Sequence, residues 1–338
     1  MAFQILSLSG GGFLGLYTIT VLTELEQRAG RPIASCFDLL AGTSVGGIIA
    51  LGLAAEHPAA KIKRAFEENG ARMFSERPAP TTRLGQWRDV LRSMFSPKYD
   101  GYALRETIVK IVGEDATIGD LKYPTIVPAV NLTKGKPQVF KTDHHPTFQR
   151  DHRLRLVDVA AATSAAPTYF PIAEFGDELF ADGGLFANSP DVIALHEAEH
   201  FFGVSVDDVR MLSIGTTTTQ FSFSHVGGCH LGVLGWVRER RLAQAILSSQ
   251  QLDAMYIVGH KLGDRYLRID EVQSKEQERD LGLDVATEDA QKTIRGLASG
   301  SYQAVLNHPM LRTILSHRPP QPTFHHRTGE PGGMECSA

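Results

Sequence analysis

Short apolar runs alternate with amphipathic stretches along the first part of the chain. Residues 3–8 form an apolar run rich in β-favouring residues, and a helical pattern with apolar positions three apart follows over 15–29. Residues 37–41 form a second apolar run, and a second helical stretch continues to about Glu56. This strand–helix–strand–helix order predicts an α/β fold in which a mostly parallel sheet has helices on both faces.

The rest of the chain contains further patterns of both kinds. Strands are predicted at 125–131, 137–141, 178–181 and 211–214, and helices at 156–165, 189–202 and 232–262. No repeat or linker is apparent, so one catalytic domain is expected over 1–315, with core motifs in 3–215 and helical cap or regulatory elements in 75–110 and 216–315. Residues 316–338 are rich in Pro, Gly and His without periodicity, which predicts a disordered tail.

Composition narrows the classes of function. The chain has 34 Lys plus Arg against 38 Asp plus Glu, a net charge of −4, which argues against a DNA or RNA binder. Its three cysteines (Cys36, Cys229 and Cys336) lack CxxC spacing, which favours a reducing compartment. The N-terminus lacks a signal-peptide pattern, and the longest apolar run, near 48–55, is far shorter than the ~20 residues that span a bilayer. We therefore expect a soluble protein, or at most one that lies on a membrane surface.

A glycine cluster follows the first predicted strand. Gly10, Gly11 and Gly12 precede Gly15, and together they form a GxGxxG pattern that opens a helix. Glycine lets the backbone approach a ligand closely, and free N–H groups at a helix start attract negative charge. Both dinucleotide sites and oxyanion holes use this arrangement, and a tight turn without a ligand is a further alternative.

The second predicted strand ends in a GxSxG motif, in which Ser44 lies between Gly42 and Gly46. A serine at a sharp turn from a buried strand into a helix is typical of a nucleophile elbow. The two glycines are needed there because side chains would collide across the turn. The start of the following helix favours negative charge that develops on the serine. An ordinary helix-capping serine is the alternative interpretation.

A serine nucleophile needs a base, and the sequence offers two kinds of candidate. Histidines occur downstream, without a motif around any of them, at His196, His200, His225, His230 and His260. Asp182 ends a predicted strand and precedes Gly183 and Gly184, which suits a carboxylate displayed at a strand end. The alternative for Asp182 is an ordinary turn aspartate before two glycines.

In their order and context, the motifs SGGGFLG, GTSVGG and ADGG resemble those of the patatin-like phospholipase family. The segments at 99–101 (YDG), 165–171 (AAPTYFP) and 188–190 (NSP) resemble other segments of that family. The resemblance covers 3–215 well and 216–315 loosely. Two positions depart from the family pattern, because Ser9 stands where Asp is common and Leu14 where Arg or Lys is common.

The resemblance implies a patatin-like fold and a serine–aspartate dyad that needs no cofactor and no metal. By this resemblance Ser44 is the nucleophile, Asp182 is the base, and the backbone amides of Gly10, Gly11 and Gly12 form the oxyanion hole. The implied reaction is the hydrolysis of fatty-acyl esters of phospholipids through an acyl-enzyme. Because backbone amides supply the hole, activity is expected to survive the absence of a charge at Leu14.

A lipid substrate requires access to a membrane. The 83–95 stretch can form a short amphipathic helix and is a candidate lid or interfacial element. Its apolar side chains would be those of Trp87, Leu91, Met94 and Phe95. An ordinary surface helix that packs on the core is the alternative.

The overall length and the stretch 134–171 most resemble the bacterial CapV-type effectors. These are phospholipases that a cyclic dinucleotide activates in CBASS antiphage defence, and they attack the cell's own inner membrane. The resemblance implies a cytoplasmic protein at the inner-membrane surface, with phospholipid and a cyclic dinucleotide as partners and homo-oligomerisation on activation. Arginines that could pair with the phosphates, unless they are merely solvated, are Arg150, Arg153, Arg155, Arg238, Arg240 and Arg241.

Three other functions compete with this hypothesis. A constitutive patatin-like lipase would share the dyad but lack nucleotide control. A dinucleotide-binding oxidoreductase would use the N-terminal glycines and would leave the elbow and Asp182 unexplained. A catalytically silent binding module would require a damaged dyad, whereas both members are present.

Overall fold

The structure is a computed structural model, and it describes residues 2–74, 96–217 and 241–327. The candidate lid with Trp87, Leu91, Met94 and Phe95 lies outside the described residues, as does the first part of the predicted helix at 232–262. Among the described helices, none is long and apolar enough to cross a membrane.

Eight strands form one sheet within the described part of the chain. Their bounds are Phe3–Leu8 (β1), Leu39–Gly42 (β2), Thr125–Asn131 (β3), Lys136–Lys141 (β4), Ala173–Phe175 (β5), Glu178–Asp182 (β6), Val209–Ile214 (β7) and Tyr266–Ile269 (β8). The order is β5-β6-β3-β2-β1-β7-β8, and β4 pairs with β3. The strands from β3 through β2, β1 and β7 to β8 run parallel, whereas β4, β5 and β6 pair antiparallel. The predicted mostly parallel sheet is confirmed.

Helices cover both faces of this sheet. Their bounds are Gly15–Ala29 (α1), Val45–Ala54 (α2), Ala59–Phe74 (α3), Tyr102–Val112 (α4), Leu156–Thr163 (α5), Gly184–Ala187 (α6), Asp191–His200 (α7), Arg241–Leu262 (α8), Gln277–Asp280 (α9), Glu288–Val305 (α10) and Pro309–Ser316 (α11). Side chains alternate along β1, so Leu6 and Leu8 join the larger core with α1 to α5, α10 and α11. Phe3 and Ile5 face the opposite side and pack in the smaller core with α7 and α8.

The register around β3 brings the ends of two strands together. β4 pairs with β3 along 126–131, so it occupies one whole edge of that strand. On the other edge, β2 pairs at 125–126 and β6 pairs antiparallel at 129–131. Because β2 runs parallel to β3 and β6 runs against it, the carboxyl ends of β2 and β6 point toward each other across a short gap at Val127 and Pro128.

The chain beyond α11 follows a defined path along the surface, although composition predicts a disordered tail from residue 316. His317 Nε2 lies 2.8 Å from an oxygen of Asp38. The amides of His325 and His326 donate to the carbonyl and the carboxylate of Asp143, at 3.0 and 2.7 Å. Composition did not predict these hydrogen bonds, because their partners, Asp38 and Asp143, lie far away along the chain. Residues 328–338 lie outside the described residues.

Candidate active site

Ser44 occupies a sharp turn between β2 and α2. Its backbone has φ 56° and ψ −126°, a conformation that L-residues rarely adopt and that costs about 1–3 kcal/mol. The turn is tight enough that a Cβ on Gly42 would lie 2.2 Å from the Gly46 carbonyl oxygen, and one on Gly46 would lie 2.4 Å from the Leu8 carbonyl oxygen. Glycine is therefore required at both positions. The first-turn amides of α2 are directed toward the serine end of the helix, which favours negative charge there.

Asp182 is the last residue of β6, and it meets Ser44 across the gap beside β3. The Ser44 hydroxyl donates to Asp182 Oδ2 at 2.6 Å, and the Gly184 amide donates to Oδ1 at 2.7 Å. Both side chains are buried. A Cβ on Gly183 would lie 2.3 Å from the Pro128 carbonyl oxygen, so only glycine allows this close turn after the strand.

Burial raises the pKa of the Asp182 carboxyl to about 6, although the hydrogen bonds from Ser44 and Gly184 partly oppose this effect. An unperturbed aspartate has a pKa near 3.9 and is a weak base toward a hydroxyl. At a pKa of about 6 the carboxylate remains mostly ionised at neutral pH and accepts a proton more readily. Burial thus increases the basicity of the Asp182 carboxylate while most of it stays ionised at neutral pH.

The glycine loop lies against Ser44, since a Cβ on Gly10 would be 3.1 Å from Ser44 Cβ. Its three amides are not equivalent. The Gly10 amide donates to the Asn188 carbonyl oxygen at 2.9 Å, so it is already engaged, and its place in an oxyanion hole stays a prediction. Within the described ranges, the amides of Gly11 and Gly12 make no hydrogen bond. These two amides remain the candidates for binding a developing negative charge.

Two segments from the second half of the chain hold the glycine loop in place. The Leu283 carbonyl oxygen accepts the Phe13 amide at 2.8 Å, and it would lie 2.2 Å from a Cβ on Gly12. The Thr216 hydroxyl donates to the Gly10 carbonyl at 3.0 Å. The loop is therefore fixed from both ends by residues more than 200 positions away.

The two departures from the family pattern have different surroundings. Ser9 accepts a hydrogen bond from the buried guanidinium of Arg268 at 3.0 Å, and the same guanidinium bonds Asp270 at 2.6 Å. The aliphatic side chain of Leu14 is buried in the larger core. Ser9, just before the glycines, thus belongs to a polar network with Arg268 and Asp270, whereas Leu14 packs in the hydrophobic core.

The histidine alternatives lie elsewhere. His196 and His200 stack on each other with ring centroids 5.2 Å apart, and His260 Nδ1 lies 2.7 Å from the Tyr256 carbonyl oxygen. Among the residues that the structure describes, no histidine hydrogen-bonds Ser44 or Asp182. His225 and His230 lie outside those residues.

The arginine candidates are bonded within their own segments. Arg150 and Arg155 pair with Asp151 and Asp158, at 2.7 and 2.8 Å, and Arg153 Nε donates to a neighbouring histidine. The side chains of the second candidate group, Arg238, Arg240 and Arg241, lie outside the description. The candidate arginines within the described ranges therefore indicate no location for a nucleotide.

A mostly parallel sheet with helices on both faces, a serine elbow and a buried aspartate within hydrogen-bond distance together define an α/β protein of the nucleophile-elbow class. The sequence profile described as "Patatin-like phospholipase" matches residues 6–195. The chain belongs to the patatin-like phospholipase family, as its motifs predict. This membership also replaces the oxidoreductase alternative for the glycine loop.

Several bacterial proteins resemble the chain over most of its length. A protein of Pseudomonas aeruginosa named cGAMP-activated phospholipase is 41% identical over 96% of this chain and 95% of its own. A protein of Vibrio cholerae with the same name is 39% identical over 84% of this chain and 86% of its own. A third such protein, from Escherichia coli, is 36% identical over 94% of both chains. The predicted resemblance to nucleotide-activated members of the family is confirmed.

Sequence reasoning missed several residues that build the site. Thr163 contacts the serine backbone, and Leu283, Thr216 and Arg268 fix the glycine loop, but none of them belongs to a motif. Asn188 lies within a segment that resembles the family, so a signal for it existed. Its role as the acceptor for Gly10 could not be read from the sequence, because it depends on how the ends of the strands meet.

Proposed function

We propose that the protein is a lipid acyl hydrolase in which Ser44 is the nucleophile and Asp182 the general base. The observation that carries this proposal is the 2.6 Å hydrogen bond from the Ser44 hydroxyl to a buried carboxylate directly at a strained elbow. The acceptor oxygen lies where the serine proton must go, so no intervening histidine is needed.

The reaction follows from this geometry in two halves. Ser44 Oγ attacks the carbonyl carbon of a fatty-acyl ester while its proton passes to Asp182 Oδ2. The protonated Asp182 then gives that proton to the departing alcohol oxygen, which leaves the acyl group on Ser44. Water enters, loses a proton to Asp182 and attacks the acyl-enzyme. Ser44 recovers its proton when the fatty acid leaves, so one carboxyl serves as base and acid in turn.

Negative charge develops on the ester oxygen in both halves of the reaction. We assign the amides of Gly11 and Gly12 as the hydrogen-bond donors to this oxygen. The N-terminal end of α2 adds a favourable electrostatic interaction. A single such donor typically contributes ~10²–10³ in rate. The hole is therefore expected to matter about as much as the base.

The proposal extends to substrate and regulation through the relatives. Three proteins that match most of the chain are named as cGAMP-activated phospholipases. On this basis we place phospholipid ester bonds at Ser44 and a cyclic dinucleotide as activator. The protein would act from the surface of the cell's inner membrane, as an antiphage effector that degrades that membrane.

The test is release of free fatty acid from mixed phospholipid vesicles. Wild type, Ser44→Ala and Asp182→Asn would be compared with and without cyclic GMP–AMP and with cyclic dinucleotides of other base composition. Ser301→Ala is a matched control, because Ser301 is also a buried serine but its hydroxyl donates to Glu271 and not to Asp182. We expect nucleotide-dependent release in wild type and the control, and loss of at least about 10³-fold in both site variants.

The other outcomes separate the parts of the proposal. Fatty-acid release that needs Ser44 but no nucleotide would support the hydrolase and contradict activation by a cyclic dinucleotide. Full activity in Asp182→Asn would show that another group is the base. Activity in Ser44→Ala would overturn the nucleophile and with it the acyl-enzyme.

A further inference from the structure

Thr163 ends α5 beside the gap between the ends of β2 and β6. We propose that Thr163 is the positioning residue that fixes Ser44 relative to Asp182. The inference rests on the proposed function of these two residues, but it concerns a side chain that belongs to none of the motifs. Its hydrogen bonds reach the elbow, β3 and the turn after β6.

The hydroxyl of Thr163 joins the elbow to the central strand. Its Oγ1 accepts the Ser44 backbone amide at 2.9 Å and donates to the Pro128 carbonyl oxygen at 2.6 Å. A hydroxyl has one proton to donate and lone pairs to accept, so both bonds form at the same time. The side chain is fully buried, so water is not available to replace either bond.

The backbone around Thr163 holds the aspartate side of the site. The Gly183 amide donates to the Thr163 carbonyl oxygen at 3.3 Å, and the Asp182 amide donates to the Ala165 carbonyl oxygen at 3.0 Å. The end of α5 and the residues after it therefore touch both members of the pair. One short segment sets the position of both the nucleophile and the base.

The sheet explains why such a bridge is needed. β2 pairs with β3 only as far as Ile126, and β6 pairs from Ala129 onward, so no strand continues the ladder at Pro128 on this edge. The Thr163 hydroxyl fills that interruption. The Ser44 backbone has the unfavourable φ of 56°. The hydrogen bond from its amide to Thr163 stabilises this conformation.

The inference predicts that removing the hydroxyl misaligns the pair while leaving the fold intact. Thr163→Val keeps the branched shape, and Thr163→Ser keeps the hydroxyl. Thr107→Val is the matched control, because Thr107 is also buried on a helix and its hydroxyl donates to the Ala103 carbonyl at 2.8 Å, away from the site. The readouts are kcat and KM on a soluble p-nitrophenyl ester and the rate at which a fluorophosphonate labels Ser44, each with and without cyclic GMP–AMP.

For Thr163→Val we expect kcat and the labelling rate to fall by about 10–100-fold, with KM changed by less than about threefold, because misplacement by about an ångström costs rate rather than affinity. Thr163→Ser is expected to recover most of the rate. Thr107→Val is expected to match wild type in rate. Circular dichroism and thermal unfolding would establish that each variant is folded.

Equal losses in Thr163→Val and Thr107→Val would overturn the inference, since a buried methyl-for-hydroxyl exchange would then explain both. A Thr163→Ser variant as slow as Thr163→Val would also overturn it. Ser44→Ala, run in parallel, separates this failure from that of the proposed function. Ester hydrolysis that persists in Ser44→Ala would contradict the proposed function, because Ser44 would then not be the nucleophile.

Discussion

At the scale of single residues, the site depends on what burial does to one carboxyl. Asp182 is hidden from water at the end of β6, and its only hydrogen-bond donors among the described residues are the Ser44 hydroxyl and the Gly184 amide. Desolvation disfavours the charged form more than these two donors favour it, so the pKa rises to about 6. A group with this pKa exchanges its proton near neutral pH, which both halves of the proposed reaction require.

The pH dependence of the rate follows directly. The base must be ionised, so kcat/KM is expected to be flat above about pH 7 and to fall about tenfold per pH unit below about pH 6. A soluble ester without a titrating group, assayed between pH 4.5 and 8.5, measures this. Because the same carboxyl later acts as the acid, we expect a single inflection rather than a bell-shaped profile.

A histidine base would give an inflection at a similar pH, so temperature supplies the control. The ionisation enthalpy of a carboxylic acid is small and that of an imidazolium is large. An inflection that stays in place between 10 and 35 °C would support Asp182. One that moves steadily downward on warming would contradict it, and so would an inflection near pH 4, where an exposed aspartate titrates.

Residue motifs predicted the serine and the aspartate but not what surrounds them. Ser44 and Asp182 are marked by flanking glycines, and a close backbone approach explains Gly42, Gly46 and Gly183. The use of the Gly10 amide was not predictable, because its partner is the carbonyl of Asn188, 178 positions later. Thr163 lies in the stretch 134–171 that resembles the CapV-type effectors, but its contacts were not predictable from the sequence. A threonine at the end of a helix is common, and its hydrogen bonds depend on how the strand ends meet around Pro128.

At the scale of elements, the glycine loop is held by contacts rather than by its own conformation. Phe13 bonds the Leu283 carbonyl, and the following Asp284 bonds Lys98 and lies 3.0 Å from the hydroxyl of Tyr99. The chain between α9 and α10 is thus connected both to the glycine loop and to the residues just before α4.

Gly12→Ala is the sharpest test of this arrangement. Gly12 has φ +57°, and a Cβ there would lie 2.2 Å from the Leu283 carbonyl oxygen, so the loop or the carbonyl must move. We expect a fall in kcat of at least about 10²-fold, the typical effect of a lost oxyanion donor. Steady-state kinetics on the soluble ester measures it.

Gly30→Ala is the control for backbone strain alone. Gly30 has φ +64° at the end of α1, and a Cβ there would meet nothing within 4 Å. This variant is expected to lose some stability and to keep the wild-type rate. Equal rates for Gly12→Ala and Gly30→Ala would mean that the position of the glycine loop does not limit catalysis.

The predictability of the elements varied with their periodicity. The strand at 3–8 and the helix at 15–29 were predicted with the bounds that the structure gives, because a strand and an amphipathic helix have different apolar spacings. The helices at 59–74 and 288–305 were not predicted, although both are amphipathic. β5 was missed because it has three residues, and β8 because it is a short edge strand after a long helix.

At the scale of the whole molecule, the site is assembled from segments spread over most of the chain. The glycine loop follows β1, the elbow follows β2, and the proposed base ends β6. Leu283, whose carbonyl accepts the Phe13 amide of the glycine loop, precedes α10. They converge because parallel strands end at the same edge of the sheet and β6 runs back toward that edge. A sequence reveals the pieces in order, but the antiparallel return of β6 is a property of the pairing with β3.

Burial of the Asp182 carboxyl also lowers the free energy of unfolding, by an amount that depends on pH. The pKa of Asp182 is about 6 in the folded chain against an ordinary 3.8, so its favourable contribution is complete below pH 3.8 and is lost as the pH rises through about 6. The amide side chain introduced by Asp182→Asn does not titrate. We therefore expect this variant to be inactive yet increasingly more stable than wild type at higher pH, by about 1 kcal/mol more at pH 8 than at pH 5.

Urea unfolding of both proteins at several pH values measures this difference, and Asp120→Asn supplies a control of opposite sign. The amide of Thr117 donates to the Asp120 carboxylate and holds its pKa below the ordinary value, so its contribution is present at neutral pH and is lost as the pH falls. Relative to wild type, Asp120→Asn should lose stability at neutral pH and recover it in acid. A stability difference for Asp182→Asn that does not change between pH 5 and 8 would contradict the buried, ionised base on which the proposed mechanism depends.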